Sequence, residues 1–460
     1  MYQINFHKPC RIHFIGIGGI SMSGLAEILL EEGFTVSGSD MKASALTERL
    51  ASRGAKISIG QRAENITSPD VVVYTAAIHP DNPELLAARE KGVPLLTRAE
   101  LLGELMHNYG HAINVAGTHG KTTTTSMITE ILLQAKKDPT VTVGGMLASI
   151  DGNIRVGGSD YFVAEACEYT NSFLNFWPTI SVVLNVEADH LDFFKDIDDI
   201  RESFRRFILR LPQNENGFLV LNGDIRDKSF FLDGLGCDYV TFGRGAENTY
   251  SAKDISYDEK ARPSYTLLYQ GHEEGRVQLG VTGEHNVYNS LSTIAVADRL
   301  GISRETAFAA LAHFCGTERR FEYKGTVNGF TIIDDYAHHP QEIAATLAAA
   351  KRYPHKKLYV AFQPHTYTRT KALMDDFAKA LSAADEVILA DIYAAREKNT
   401  VGVHISELVD KINALGGHAV YEPDFASIEK FILKKLKTGD LLITMGAGNI
   451  VDVGNELLSR

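Results

Sequence analysis

Gly117-Thr118-His119-Gly120-Lys121-Thr122-Thr123 combines the residue types that hold a polyphosphate. Glycines let backbone N–H groups close on phosphate oxygens, a lysine balances the charge, and the hydroxyl after it serves Mg²⁺. A full P-loop would carry a glycine where Val115 stands, so this is a shortened variant. A metal–phosphate site also needs hard oxygen ligands. Glu165 and Glu168 follow one apolar run, and Glu187, Asp189 and His190 follow another. Carboxylates at the carboxyl edge of a parallel sheet face the ligand crevice.

A second glycine stretch, Gly16, Gly18 and Gly19 running to Gly24, lies nearer the start, with Asp40 closing the next apolar run. Glycines there let a diphosphate approach a helix N-terminus, and an acid in that place commonly meets a ribose hydroxyl. Ser21 holds the place of the third glycine. A nucleotide-type ligand and a tight turn without ligand both fit this spacing.

Three clusters lie downstream. Gly283-Glu-His285-Asn286-Val-Tyr-Asn289 precedes an apolar helical stretch, Ser290–Leu300, and reads equally as a helix cap or as a frame for a nucleobase. Arg319 and Arg320 form either a solvated pair or a contact to a transferring phosphoryl group. Asp334, Asp335, His338 and His339 are followed by His365 and Arg369. Adjacent acids cost repulsion and are enriched at sites. His365 and Arg369 share a face if 366–373 is helical. Zinc is disfavoured, because no neighbouring thiolate or His-Glu-x-x-His spacing supports it.

The elements that must position these groups alternate. Strands are expected at Arg11–Ile15, Phe34–Ser37 and Val71–Tyr74, then at Ala112–Ala116, Tyr161–Ala164, Ile180–Leu184 and Phe218–Leu221. Further strands are expected at Thr331–Ile333, Lys357–Ala361, Glu386–Ala390 and Asp440–Thr444. Helical stretches at 22–31, 122–134 and 342–351 separate them, which predicts α/β domains with parallel sheets. The chain has 460 residues, enough for about three domains.

The formal net charge is −12, which excludes a general nucleic-acid coat but allows a local basic pocket. The four cysteines, Cys10, Cys167, Cys237 and Cys315, form no CxxC pair, so a reducing compartment is expected. No apolar core of signal-peptide type opens the chain, and no run reaches roughly 18 apolar residues. A cytoplasmic protein without nucleic-acid or membrane partners is expected.

Several separated motifs agree with one family. The stretches at 117–123, 187–190, 283–289, 319–321, 334–340 and 362–370 stand in the order found in the Mur ligases, and the chain resembles that family over essentially its full length. The stretches at 13–27, 37–40 and 77–84 resemble its UDP-binding parts. The resemblance implies an N-terminal Rossmann-like UDP-binding domain at 1–107, a central P-loop ATPase-like domain at 108–323 and a C-terminal Rossmann-like domain at 324–460. It implies ATP and Mg²⁺ as cofactors, and UDP-N-acetylmuramate and L-alanine as substrates, joined through an acyl phosphate. The alternative within the family attaches a ready-made tripeptide during cell-wall recycling.

The resemblance also implies roles. Gly117, Thr118, His119, Gly120, Lys121, Thr122 and Thr123 would hold the ATP phosphates, with Lys121 on the transferring group. Thr122, Glu165 and His190 would bind Mg²⁺. His285, Asn286 and Asn289 would frame adenine, and Arg320 and Asp335 would contact ATP. His339, His365 and Arg369 would surround the amino acid and acyl phosphate. Gly16, Gly18, Gly19, Asp40 and His79 would meet the UDP moiety. Cys167 stands where many relatives have aspartate, and Thr366 where some have arginine. The stretch 201–211 has no lysine, which suits a member that does without a carbamylated one.

Overall fold

The computed structural model describes residues 2–75, 77–191, 193–395 and 397–460. These form two compact units, each described by itself: residues 1–144, 148–242 and 295–302 make the first, and 145–147, 243–294 and 303–460 the second.

The first unit opens with a five-stranded parallel sheet. Its order is Lys56–Ile59, Thr35–Asp40, Arg11–Ile15, Val71–Tyr74, Leu95–Thr97. Arg11–Ile15 is buried at four of its five positions, as a strand covered by helices on both faces must be. Successive strands are added first on one side of it, from Thr35–Asp40, and then on the other, from Val71–Tyr74, so the crevice at its carboxyl end is a topological switch point. The glycine stretch leaves the sheet there and opens the helix Ile20–Glu31. Arg98 leaves the same edge after Leu95–Thr97 and begins the helix Arg98–Met106.

Further along the same unit, the strand His111–Ala116 is flanked by parallel strands on both sides, Ile180–Val183 and Tyr161–Ala166. Ile180–Val183 continues to Phe218–Asn222 and Asp238–Gly243. A shared apolar core of Phe162, Phe173, Phe204, Phe207 and their neighbours lies beneath. Because three adjacent strands end together, the Gly117 loop, Glu165–Glu168 and Asn185–His190 leave one edge.

The second unit contains an antiparallel meander, Tyr250–Tyr257, Pro263–Tyr269 and His272–Gln278. It also contains a six-stranded sheet ordered Glu322–Val327, Phe330–Asp335, Leu441–Met445, Leu358–Phe362, Glu386–Leu389, Ala419–Tyr421. Its first strand is antiparallel to the second and the rest are parallel. The meander and Glu322–Val327 are antiparallel additions to the α/β units, and none of these strands was among those expected. His272–Gln278 is exposed at all but one position and Glu322–Val327 has no buried one, and their mixed polar composition lacks the continuous apolar runs that marked the others.

Among the described residues, no helix is long and apolar enough to cross a membrane.

Candidate active site

The phosphate-type loop is held from both sides. Asn185, just past Ile180–Val183, accepts from the His119 backbone N–H at 2.8 Å and donates to the His119 carbonyl at 3.1 Å. Thr118 Oγ1 accepts from the Glu187 N–H at 3.0 Å. Gly117 has φ 151°, and a Cβ there would lie 2.9 Å from Leu184 Cβ. Gly120, at φ 86°, turns the chain into the helix Lys121–Gln134. Both glycines occupy backbone that side chains rarely adopt.

Lys121 lies back along this loop. Its Nζ donates to the carbonyls of Gly117 and of Thr118, the latter at 3.1 Å, and pairs with Glu168 Oε2 at 3.0 Å. The pair is mostly buried, with side chains 15% and 3% exposed. Burial works against the ammonium, but Glu168, Cys167 and Glu165 together outweigh it and raise the lysine pKa. Lys121 is therefore a full cation at neutral pH. Glu165 accepts from the Gly144 N–H at 2.5 Å. His190 has φ 53°, and its Nε2 lies 3.8 Å from Glu168 Oε1 and from Asp189 Oδ2. The Tyr169 ring packs on it with centroids 4.6 Å apart. Glu187 is raised by burial, which the neighbouring His119 opposes.

Thr122, Glu165 and His190 offer a hydroxyl, a carboxylate and an imidazole at one edge. Among the described residues, no group of three or more His, Cys, Asp or Glu side chains forms a metal cage. The hydroxyl of Thr122 and the carboxylate of Glu165 are hard oxygen donors of the kind Mg²⁺ takes, its remaining ligands coming from water and substrate phosphates.

The first glycine loop is tied differently. The N–H groups of Gly16 and Ile17 both donate to the Ser39 carbonyl at 2.9 Å, and Gly18 donates to Asp40 Oδ2 at 2.9 Å. Ser39 in turn donates to the buried Glu84 at 2.6 Å. His79 is exposed and pairs with Asp81 at 2.6 Å.

In the second unit, Asp335 is buried and accepts from the backbone N–H groups of Phe321 and Ala337, each at 2.8 Å. Burial pushes its carboxyl up to about 6, against the Arg320 cation and those two hydrogen bonds. Arg320 lies over the Tyr336 ring and 4.0 Å from Glu342. Arg319 is structural: it bridges buried Asp334 at 3.0 Å and donates to the carbonyls of Gly446 and Gly448. The reading of the two arginines as a solvated pair therefore does not hold for Arg319, which is tied to a buried acid.

His339 becomes the N-cap of the helix Pro340–Ala350, its side chain accepting from the Gln341 N–H. It is His338 that packs edge-on against His365, with centroids 6.0 Å apart. Burial pushes His338 down to about 4; Glu342 opposes that shift and the Arg369 cation adds to it. His365 is lowered by burial and by the same arginine, and it stacks on Tyr393. The helix expected over 366–373 is the six-residue Tyr367–Ala372, so His365 precedes it, separated by Thr366 at φ 65°.

The helix expected from Ser290 begins earlier, at His285, and runs to Arg299. Asn286 donates to the Thr282 carbonyl at 2.7 Å, and Asn289 donates to Asn286 Oδ1 at 2.9 Å. These two buried amides therefore order the turn at the start of the helix.

Sequence reasoning passed over Glu168 as the lysine's partner, Asn185 as the clamp of the loop, and His338. The signal for Glu168 was its place two residues past the strand Tyr161–Ala166. His338 and His339 are adjacent, and only the cap geometry separates them.

Three family models match the chain: the Mur ligase family catalytic domain over residues 11–110, the Mur ligase middle domain over 115–297, and the glutamate ligase domain of Mur ligases over 319–448. A UDP-N-acetylmuramate–L-alanine ligase of Lachnospira eligens is 59% identical over 100% of both chains. One of Agathobacter rectalis is 57% identical over the same share. Among solved structures, a UDP-N-acetylmuramate–alanine ligase of Thermotoga maritima matches with a TM-score of 0.79 and 31% identity, covering 98% of this chain and 99% of that one. A murein peptide ligase of Psychrobacter arcticus matches with a TM-score of 0.68 and 26% identity over 98% of both. With motifs, sheets and full-length similarity in agreement, the chain belongs to the Mur ligase family.

Proposed function

We propose that the protein joins L-alanine to the carboxylate of UDP-N-acetylmuramate at the expense of ATP, a step of peptidoglycan precursor synthesis. The observation that carries the reaction type is Lys121, a buried cation pinned in a glycine loop beside Glu165, Glu168 and His190. The choice of amine donor rests on relatives of that name at 59% and 57% identity over the whole chain.

A carboxylate oxygen of the muramic acid attacks the γ-phosphorus of ATP, and ADP leaves. The amine of L-alanine then attacks the acyl carbon, phosphate departs with the electron pair of the C–O bond, and the nitrogen loses its proton. The acyl phosphate is the activated species, so no side-chain nucleophile is needed. The protein's task is charge and position. Lys121 balances the transferring phosphoryl group, and the N–H groups of Gly117–Thr123 hold its neighbours. Thr122, Glu165 and His190 would hold Mg²⁺, which neutralises charge on the phosphate oxygens. His285, Asn286 and Asn289 frame the base, while Arg320 and Asp335 address ATP from the linker and the C-terminal domain. Arg369 attracts the amino-acid carboxylate. His365, with His338 beside it, stays neutral and accepts a hydrogen bond from the amine without repelling it; His339 supports the turn. Gly16, Gly18, Gly19, Asp40 and His79 hold the UDP moiety. The domains run over 1–107, 108–323 and 324–460, and the protein works in the cytoplasm.

The test supplies UDP-N-acetylmuramate and ATP with each amine donor separately. Phosphate release with L-alanine is expected. Release only with the tripeptide would replace this reading by the recycling one.

A further inference from the structure

Arg98 stands at the edge where the first glycine loop leaves its sheet, and the fold does nothing to neutralise it. It is the first residue of the helix Arg98–Met106, the end at which a cation meets the positive pole of the helix dipole. The acid in that first turn, Glu100, is already used: its Oε2 accepts from the Thr97 N–H at 2.6 Å in a capping box. A guanidinium has five N–H donors. Among the described residues, the one side-chain hydrogen bond of Arg98 runs from Nη1 to Ser21 Oγ at 3.1 Å, and no carboxylate pairs with it. Burial lowers its pKa, and Cys167 is the single group opposing that.

Ser21 lies in the first turn of the helix that the glycine loop opens. That helix has Gly19 as its N-cap, no side-chain cap and no acid in its first turn. Two helix N-termini and one half-buried arginine thus adjoin through a single hydrogen bond. The acid nearest the loop, Asp40, is engaged by the Gly18 N–H. An assembly of donors with so little negative charge is arranged for an anion, and a planar guanidinium suits paired phosphate oxygens.

We propose that Arg98 grips the diphosphate of the sugar nucleotide, supplying the cation that the first glycine loop lacks. This rests on the reading of that loop as the UDP site. Ser21 holds the guanidinium towards the loop, and the remaining N–H groups take the phosphate oxygens.

The experiment measures calorimetric binding of UDP, UDP-N-acetylglucosamine and UDP-N-acetylmuramate to the full chain, together with unfolding temperatures with and without UDP. The variants are Arg98→Gln and Arg98→Lys. Arg98→Gln is expected to weaken all three ligands by a similar factor, about 10-fold or more, as loss of a charge-assisted hydrogen bond requires. Its unliganded unfolding temperature should stay equal or rise, because the cation had no acid to pair with, while the stabilisation by UDP shrinks. Arg98→Lys, which keeps the charge and loses the fork, should fall between. A loss confined to UDP-N-acetylmuramate would move the arginine to the muramic carboxylate and overturn the proposal. Unchanged UDP affinity, or a lower unliganded unfolding temperature with UDP affinity retained, would make Arg98 structural. Failure of the unaltered protein to bind UDP at all would remove the reading of the loop itself, a distinct result.

Discussion

The loop at Gly16–Gly19 and the loop at Gly117–Thr123 both leave the carboxyl end of a parallel strand, and both open a helix with a glycine at its N-cap. The first is tied to its own sheet by carbonyl and carboxylate acceptors, Ser39 and Asp40, and carries no cation within the turn. The second is clamped by an amide, Asn185, and carries Lys121, whose charge is stored against Glu168. A diphosphate that is only held needs donors and a fixed shape. A phosphoryl group that moves gathers charge as it does so, and needs a cation placed beforehand. On the function proposed above, the difference between the loops is the difference between holding and transferring.

The largest break in that comparison is Lys121→Ala. Turnover should fall by about 10³-fold, on the scale of losing a group that stabilises the transferring charge. Removing the lysine also leaves Glu168 buried without its partner, which costs about 3–5 kcal/mol. The double variant Lys121→Met with Glu168→Gln should regain most of that stability and none of the activity. Denaturant unfolding and phosphate-release kinetics check both halves.

In the second unit burial shifts two titrations in opposite directions. Asp335 titrates near 6 when folded, against 3.8 for the free acid, so its contribution is complete below about 3.8 and is lost as pH rises through 6. His338 titrates near 4, against 6.5, so its contribution is complete above 6.5 and is lost as pH falls through 4. Each spans about 3 kcal/mol, and the two oppose each other between pH 4 and 6.5. Relative to the unaltered protein, Asp335→Asn should therefore lose stability as pH falls through this range, and His338→Gln should gain it. Urea midpoints at pH 4.5, 5.5 and 7 read both slopes.

A smaller, crossed effect separates the loops directly. A Cβ added at Gly18 would lie 2.9 Å from Asp40 Oδ2 and from Thr47 Cγ2, so Gly18→Ala displaces the acid that fixes the first loop. UDP binding should weaken about 10-fold with ATP binding unchanged. Gly117→Ala strains the second loop and should do the reverse. Asp40→Asn is the mildest: an amide oxygen still accepts from Gly18, so UDP affinity should shift by no more than about 3-fold. Calorimetry with each nucleotide measures all three.

Both loops and most parallel strands were legible because apolar runs ending in glycine or a carboxylate leave a local signature. Arg11–Ile15 and Val71–Tyr74 have the expected bounds. The antiparallel meander was not legible, since its strands are polar on the exposed face and are specified by pairing rather than by composition. Within the sites, residue type announced Lys121 and Glu165. It could not tell Arg319 from Arg320, or His338 from His339, because the choice is made by the carbonyls of Gly446 and Gly448 in one case and by a helix cap in the other. Arg98 left no motif at all: its proposed role is argued from a setting in which, among the described residues, no carboxylate pairs with it.

The most direct test of transfer at the second loop follows an oxygen atom. UDP-N-acetylmuramate labelled with ¹⁸O in its carboxylate, incubated with ATP and L-alanine, should deliver one labelled oxygen to the released phosphate, because the C–O bond of an acyl phosphate is the bond that breaks. Phosphate released without label would contradict the account.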